Sequence, residues 1–350
     1  MLRRFTPALL LLATACGDTI VYQLPPDHDA GPPPTGTKLD AGVPRPHDAG
    51  TVVRDGGPLA AHDAGTADAG VRDAGFRDGG VPTPAECYTE PFDPTIDLSD
   101  LRGTYRSDAL GAIMAALERR YPAGRDLLWE ERDDPYTGSF IDRSSFGSTM
   151  ESSMTEVHEA THGWDYSHSL FYQHFDYYLR GDLKHSLSFD VDGFPRSEIH
   201  GMLEDNSTSL YSGLYLTGEQ GTRGFLELLD ETNCYINGLG AIAAIADEVP
   251  YGISGRDGAV AFLYYVQLYL RRARTQYPAL YQTMRNDAAL KDHIQTQWLR
   301  THFFLLHADL EPHVGIRDDE IRANLYAPHN VAEIEMLIGR CVDDTNCLCD

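Results

Sequence analysis

The chain has 350 residues and a formal net charge of −25 at pH 7, with 28 Lys and Arg residues against 53 Asp and Glu residues. Nucleic acids and anionic lipid surfaces are bound through clustered basic residues, so the charge argues against both as partners. The composition changes twice along the chain. We predict a signal peptide over residues 1–16, a disordered linker over 17–86 and one folded domain over 87–350.

The N-terminus has the pattern of an export signal. Arg3 and Arg4 precede a short apolar run, which is too short to span a bilayer as a helix, and small residues then lead to Cys16. Small residues followed by cysteine resemble a bacterial lipobox, although Ala13 stands where that family usually has Leu. The resemblance implies cleavage before Cys16, lipidation of its sulfur and anchoring to the cell envelope, at the outer membrane or cell surface. A secreted, lipid-free protein is the alternative.

Residues 17–86 are of low complexity. The tripeptide Asp-Ala-Gly recurs, starting at Asp29, Asp40, Asp48, Asp63, Asp68 and Asp73. Large apolar side chains are too few to form a core, so we expect this segment to be disordered and to act as a spacer.

The first part of the folded domain predicts one helix followed by loops. Over residues 105–121, apolar side chains recur at helical spacing, and Pro122 follows. Residues 124–147 are polar and rich in turn residues, which predicts loops and short strands.

The stretch Val157–Trp164 contains the motif H-E-x-x-H, formed by His158, Glu159 and His162. Residues four apart share one face of a helix, so the two histidines can bind one cation. Glu159 can then reach a metal-bound water without binding the metal itself. The upstream pattern Ser153-x-x-Glu156 is typical of a capping box and predicts that the helix begins there.

This motif resembles the active-site helix of the zincin metallopeptidases. Uncharged residues lie between and after the histidines, as in that family, whereas Glu156 departs from the family pattern. The resemblance implies an α+β, mainly helical fold with an active-site helix, a small sheet and a helical C-terminal lobe. It also implies Zn²⁺ bound by His158 and His162, and hydrolysis of peptide bonds with Glu159 as general base.

Two segments follow the motif. Tyr166 to Leu179 is rich in aromatic residues, which we expect to lie in the core, with a substrate groove as the alternative. Leu187, Phe189 and Val191 then alternate before Asp192-Gly193, which predicts a hairpin turning at that dipeptide.

A third metal ligand is expected on a second helix. Residues 222–248 predict a long, mostly apolar helix that contains Glu231, and a carboxylate in an apolar stripe is costly unless it is paired or metal-bound. Tyr235, four residues on, shares its face. The arrangement resembles the gluzincins, in which a glutamate on a second helix completes the site. The resemblance gives Glu231 that role. Tyr235 would donate a proton to the oxyanion, with core packing as its alternative role.

Other third ligands stay open. His168 lies six residues after His162, which is the metzincin spacing, although Asp165 stands where that group has a glycine that turns the chain. Three further residues are alternatives: His200, Glu204 and Asp205. Asp165 and Asp230 are candidates to hold the ligand histidines through hydrogen bonds.

Residues 256–310 predict two long helices, the first ended or kinked by Pro278. Export permits disulfides, and we expect one bridge between Cys87 and the C-terminal cluster of Cys341, Cys347 and Cys349. Cys234, inside the second metal helix, is expected to be a buried free thiol.

The sequence therefore predicts an exported zinc metallopeptidase that acts on a peptide or protein. Two alternatives remain. One is a surface-displayed binding or structural lipoprotein on a degenerate zincin scaffold. The other is a metal-dependent hydrolase of a non-peptide bond, such as one in the cell wall.

Overall fold

Ten α-helices and one two-stranded sheet are present in residues 87–169 and 174–349, the part of the chain that the computed structural model describes. The domain is mainly helical with a small sheet, as predicted. The predictions for the signal peptide, for lipidation at Cys16 and for the linker lie outside the described residues.

In chain order, the helices are α1 (Ala109–Arg120), α2 (Pro122–Glu130), α3 (Phe146–Ser169), α4 (Ser209–Tyr215), α5 (Phe225–Ile245), α6 (Gly255–Gln276), α7 (Pro278–Asn286), α8 (Ala288–Ala308), α9 (Asp318–Leu325) and α10 (Pro328–Ile338). Strands β1 (His174–Arg180) and β2 (Leu183–Ser188) form an antiparallel hairpin between α3 and α4. Short 3₁₀ turns occupy much of the remaining chain. No described helix is long and apolar enough to cross a membrane.

Helix α5 is the centre of the core. Every residue in it except Glu227 and Tyr235 is buried, and it packs against α3, α6 and α8. Gly238 permits the close approach to α3, because a β-carbon there would lie 3.0 Å from the carbonyl oxygen of Met154. The predicted helix over 222–248 is therefore confirmed, and its burial explains why it is apolar on nearly all sides.

The hairpin lies at a different place from the one predicted. Strand β2 ends at Ser188, and Phe189–Val191 forms a 3₁₀ turn. Asp192 does not turn a hairpin, because its carboxylate accepts hydrogen bonds from the amides of Phe225 and Leu226 and so caps α5. The prediction at Asp192-Gly193 was wrong, and β1 instead comes from the aromatic segment, whose described aromatic side chains in β1 are buried as expected.

Two helix starts also differ from the prediction. Pro122 begins α2 instead of only ending α1, because proline is well accommodated in the first turn of a helix. No strand forms within residues 124–147, all of which the structure describes. The capping box predicted at Ser153 was wrong as well, since α3 already begins at Phe146 and both Ser153 and Glu156 are buried within it.

The C-terminal lobe is helical, as predicted. Pro278 separates α6 from α7, and the carboxylate of Asp287 accepts a hydrogen bond from the Leu290 amide at the start of α8. Residues 256–310 therefore contain three helices where two were predicted.

One disulfide joins the two ends of the domain, and a second closes a short C-terminal loop. Cys87 pairs with Cys347, and Cys341 pairs with Cys349. The first bridge confirms the expected link between Cys87 and the C-terminal cluster. Cys234 is free and buried, as predicted.

A buried ion pair links the N-terminal segment to α8. The guanidinium of Arg300 contacts Glu90 at 3.2 Å and also donates to the Tyr121 hydroxyl and to the side-chain oxygen of Asn237. Both charged side chains are almost completely buried. Removing one member of such a pair leaves the other charge without compensation in a medium of low polarity.

We predict that Arg300→Met lowers the free energy of unfolding by about 3–5 kcal/mol, as is typical when one partner of a buried pair is removed. Urea unfolding followed by circular dichroism measures this. Arg119→Met is the matched control, because Arg119 pairs with Asp100 at the surface and its loss should matter much less. Equal losses in the two variants would contradict the prediction.

Candidate metal centre and its cleft

The H-E-x-x-H motif lies in the middle of α3, facing α5. The Nε2 atom of His162 is 3.4 Å from Oε2 of Glu231, and the Nε2 atom of His158 is 3.9 Å from the same oxygen. His158 and Glu231 are buried, and the His162 side chain is 17% exposed. The structure thus brings together the three residues that the sequence assigned as metal ligands.

One of the two donor separations matches a tetrahedral zinc site. Zinc bonds of 2.0–2.2 Å place two ligand atoms roughly 3.4 Å apart. The distance from Oε2 of Glu231 to Nε2 of His162 has this value, whereas Nε2 of His158 lies 3.9 Å from Oε2. The Oε2 atom of Glu231 is closed off from solvent and has no hydrogen-bond partner among the described residues. Burial alone would raise the pKa of Glu231, but the adjacent His162 and Arg196 lower it to about 2. A buried, charged oxygen without a hydrogen bond is costly unless a nearby positive charge compensates for it.

A hydrogen bond between Nδ1 of His162 and the Asp230 carboxylate fixes the orientation of the His162 ring. Its Nδ1 lies 2.7 Å from Oδ2 of Asp230, and since a carboxylate only accepts, Nδ1–H donates. Burial lowers the pKa of His162, but the carboxylates of Asp230 and Glu231 raise it well above its ordinary value, so without a metal Nε2 carries a proton toward Glu231. A metal ion that displaced this proton would meet the Nε2 lone pair, because carboxylates orient histidine ligands in this way in metal sites. Asp230 thus makes the hydrogen bond to a candidate ligand histidine that the sequence analysis predicted.

Asp165 does not contact a histidine. Its carboxylate accepts hydrogen bonds from the Tyr178 amide and from Asn233, and so joins α3 to β1 and α5. Burial and the neighbouring Asp230 carboxylate raise the pKa of Asp165 well above its ordinary value.

The structure does not bring the alternative ligands to the site. Helix α3 continues unbroken to Ser169, so His168 is not turned back toward His162; it is exposed and stacks on Trp164. Glu204 instead pairs with Arg271 and His329, and Asp205 accepts from the Ser207 amide. His200 is exposed. The metzincin spacing fails here because the chain lacks the glycine that would end the helix.

Cys234 is a possible donor that the sequence analysis treated only as a buried thiol. Donor atoms of His158, His162 and Cys234 all lie within 4.8 Å of one another. Burial raises the pKa of the Cys234 thiol well above its ordinary value, and its sulfur lies 3.9 Å from Oδ1 of Asp230. Glu231 is charged and lines the cleft described below, whereas the raised pKa of Cys234 keeps its thiol protonated.

A cleft with a volume of about 70 Å³ opens beside His162. One wall is the segment 131–140, the floor is α3, and the opposite side includes Arg223 and Glu231. Glu159 lines this cleft, and its Oε1 atom has no partner among the described residues. Burial raises the pKa of Glu159 to about 7, near the value that suits a general base at neutral pH.

Glu156, the residue that departs from the zincin pattern, holds the wall of the cleft. Its two carboxylate oxygens accept hydrogen bonds from the amides of Gly138 and Phe140, each at 2.7 Å. The Glu156 carboxylate therefore holds the wall of the cleft, and it does not disturb the H-E-x-x-H motif.

Tyr235 does not line the cleft. Its ring contacts His158 and stacks on Phe262, and its hydroxyl is hydrogen-bonded to that of Tyr215 at 3.0 Å. This position matches the core-packing alternative.

Tyr166, and not Tyr235, is the tyrosine whose side chain lines the cleft. It lies one helical turn after His162, lines the cleft, and accepts a hydrogen bond of 2.9 Å from Nη1 of Arg223. Its own hydroxyl proton has no acceptor among the described residues, so the phenol can donate into the cleft. The spacing of four residues from His162 was a signal that sequence reasoning missed.

Arg196 lies behind Glu231 and is fully buried. Its Nη2 is 3.8 Å from Oε1 of Glu231, and its guanidinium donates to the backbone and side-chain oxygens of Gln220. It thus balances the charge of Glu231 on the side away from the histidines. Nothing in the local sequence around Arg196 indicates this contact.

Comparisons with known proteins give no family for this chain. No protein-family model matches it, and neither curated proteins nor solved structures provide a match. The site must therefore be interpreted from its own geometry.

Glu131, at the edge of the cleft, has a carboxylate that no described residue pairs with. Burial, together with the charge of Asp134, raises the pKa of Glu131 to about 7. The folded protein thus retains this proton between pH 4.5 and 7, whereas the unfolded chain loses it, so the free energy of unfolding falls as the pH rises through that window.

We predict that Glu131→Gln removes this fall in the free energy of unfolding with rising pH in the metal-free protein. The variant should unfold a few degrees higher than the wild type at pH 8, with a smaller difference at about pH 4.5. Thermal unfolding at both pH values measures this, with the exposed Glu118→Gln as control. A difference that does not change with pH would contradict the prediction.

Proposed function

We propose that the protein is a zinc-dependent peptidase with a gluzincin-like site formed by His158, His162 and Glu231. The observation that carries this proposal is the position of the unpartnered, charged Oε2 of Glu231 opposite the Nε2 atoms of both histidines, at the side of an open cleft. The hydrogen bond from His162 to Asp230 supports it, because it directs Nε2 toward the same point.

The cleft residues suit hydrolysis of an amide. A bound zinc ion would supply a Lewis acid and lower the pKa of a bound water to about 7. Glu159, in the cleft beside His158, accepts a proton from the attacking water and returns it to the leaving amine. Tyr166, held by Arg223, donates its hydroxyl proton to the carbonyl oxygen as that oxygen gains negative charge.

The proposed setting is extracellular, with a lipid anchor through Cys16 and a spacer over residues 17–86. Two disulfides support export, because such bonds persist in oxidising compartments. A degenerate binding lipoprotein and a hydrolase of a cell-wall bond remain the alternatives. If the protein is a binding lipoprotein, its partner should still bind after Glu159 is replaced. A cell-wall hydrolase would use the same site on a different substrate.

We predict one zinc ion per chain in the purified protein, measured by elemental mass spectrometry. His162→Ala and Glu231→Ala should lose the metal, because each removes one of only three protein ligands. His168→Ala, which removes an exposed histidine of the same helix, should retain it.

Cys234→Ala separates the two candidates for the third position. Zinc retained in this variant supports Glu231. Zinc lost with Cys234→Ala but retained with Glu231→Ala would assign the position to the thiol. A wild-type protein without metal, even after incubation with zinc, would contradict the proposed function.

For catalysis, we predict that the zinc-loaded protein cleaves members of a peptide library and that a chelator abolishes cleavage. Glu159→Gln should reduce kcat by roughly 10²- to 10⁴-fold with zinc retained, because a general base contributes about that much. Tyr166→Phe should reduce kcat by about 10²-fold, whereas Tyr235→Phe, the matched control, should change it little.

Mass spectrometry of the cleavage products gives these rates. A larger loss in Tyr235→Phe than in Tyr166→Phe would return the oxyanion role to Tyr235. Zinc binding without cleavage of any peptide would favour the cell-wall or binding alternatives.

A further inference from the structure

A second pocket lies where the end of α6, helix α7 and the end of α10 meet. It shares no residue with the metal cleft, is open to solvent and has a volume of about 490 Å³. Cys341, which forms the bridge to Cys349, is part of its wall. The pocket therefore sits on a part of the fold that a disulfide holds in place.

Basic residues outnumber acidic ones in the lining of this pocket, in a chain whose net charge is −25. Three arginines line it, Arg274, Arg285 and Arg340, against one carboxylate, that of Glu335. Arg274 is paired with Glu333, which holds its guanidinium in a fixed position. Arg285 makes no ion pair or side-chain hydrogen bond with any described residue, so its guanidinium donors are available to a ligand.

Tyr281 supplies a second, independent observation. It lines the same pocket and is only 7% exposed, yet its hydroxyl is closed off from solvent and has no hydrogen-bond partner among the described residues. Buried hydroxyls are seldom left in this state. Because Arg285 follows four residues later on α7, the unpartnered hydroxyl and the unpaired guanidinium share one helix face.

We propose that this pocket binds a phosphate group held chiefly by Arg285, with the buried Tyr281 hydroxyl donating to it when the side chains at the pocket floor shift to admit the ligand. Guanidinium groups bind phosphate through two parallel hydrogen bonds, and a phenol can donate a further one. Phosphate offers more acceptor oxygens than a carboxylate, which suits a pocket lined by arginines and a tyrosine. The site does not depend on the proposed peptidase function.

The phosphate group can belong to a phosphorylated solute or to a phospholipid headgroup. Both present the same oxyanion to Arg285, so the structure identifies the chemistry and an experiment identifies the source.

The first arm titrates the purified protein, freed of metal by a chelator, with inorganic phosphate in a calorimeter. Removing the metal excludes phosphate binding at the histidine site. We expect saturable binding of one phosphate per chain, weakened at least tenfold in Arg285→Gln. Arg106→Gln is the matched control, because Arg106 is also an exposed arginine without a carboxylate partner, beside the Tyr105 hydroxyl, and it should leave the affinity unchanged.

Tyr281→Phe distinguishes a binding role from a structural one. It should weaken phosphate binding several-fold while leaving the melting temperature of the free protein equal or slightly higher, because phenylalanine removes a buried hydroxyl that has no partner. A Tyr281→Phe variant that melts lower and binds phosphate normally would overturn the role of Tyr281.

The second arm measures flotation with vesicles of phosphatidylcholine, with or without phosphatidic acid. Binding that requires phosphatidic acid and is lost in Arg285→Gln assigns the site to a headgroup. Binding of inorganic phosphate alone assigns it to a soluble ligand. The absence of saturable binding in both arms, or binding that is equal in the wild type, Arg285→Gln and Tyr281→Phe, would overturn the proposal.

Discussion

The packing of α3 against α5 is the constraint on which the rest of the domain depends, because it buries several charged and polar side chains together. His162, Asp230, Asp165 and Asn233 form one line of contacts across this interface. Burying carboxylates is unfavourable unless donors compensate for them. Here Asp165 and Asp230 lie close together, and burial followed by the charge of Asp230 raises the pKa of Asp165.

The same interface holds the sheet in place. Asn233 and Asn237, one helical turn apart on α5, both donate to the carbonyl oxygen of Tyr178 in β1, at 2.9 and 3.0 Å. Asn237 also donates to Thr161 on the motif helix and accepts from Arg300, which in turn pairs with Glu90. A continuous set of hydrogen bonds therefore runs from the segment after Cys87 to the helix that carries the histidines.

The sequence predicted what depends on local periodicity and could not predict what depends on tertiary contacts. The two histidines share a face because helical spacing requires it, and Glu231 was identifiable as a carboxylate in an apolar helix. Asp192 was misread because an Asp-Gly pair usually indicates a turn, whereas its carboxylate caps a helix 33 residues further on. The contact of Arg196 with Glu231 likewise joins distant parts of the chain, and no spacing rule reports it.

The cleft contains buried groups whose cost the proposed function would account for. Glu159 and Glu231 each keep a buried oxygen without a hydrogen bond, and apolar residues of similar size would make the same interface more stable. Glu156 bears a further buried charge whose contacts are the two amides of the cleft wall, so that charge serves the shape of the cleft. The arrangement of these buried groups is accounted for when a cation binds between the histidines and Glu231 and a reacting water lies beside Glu159.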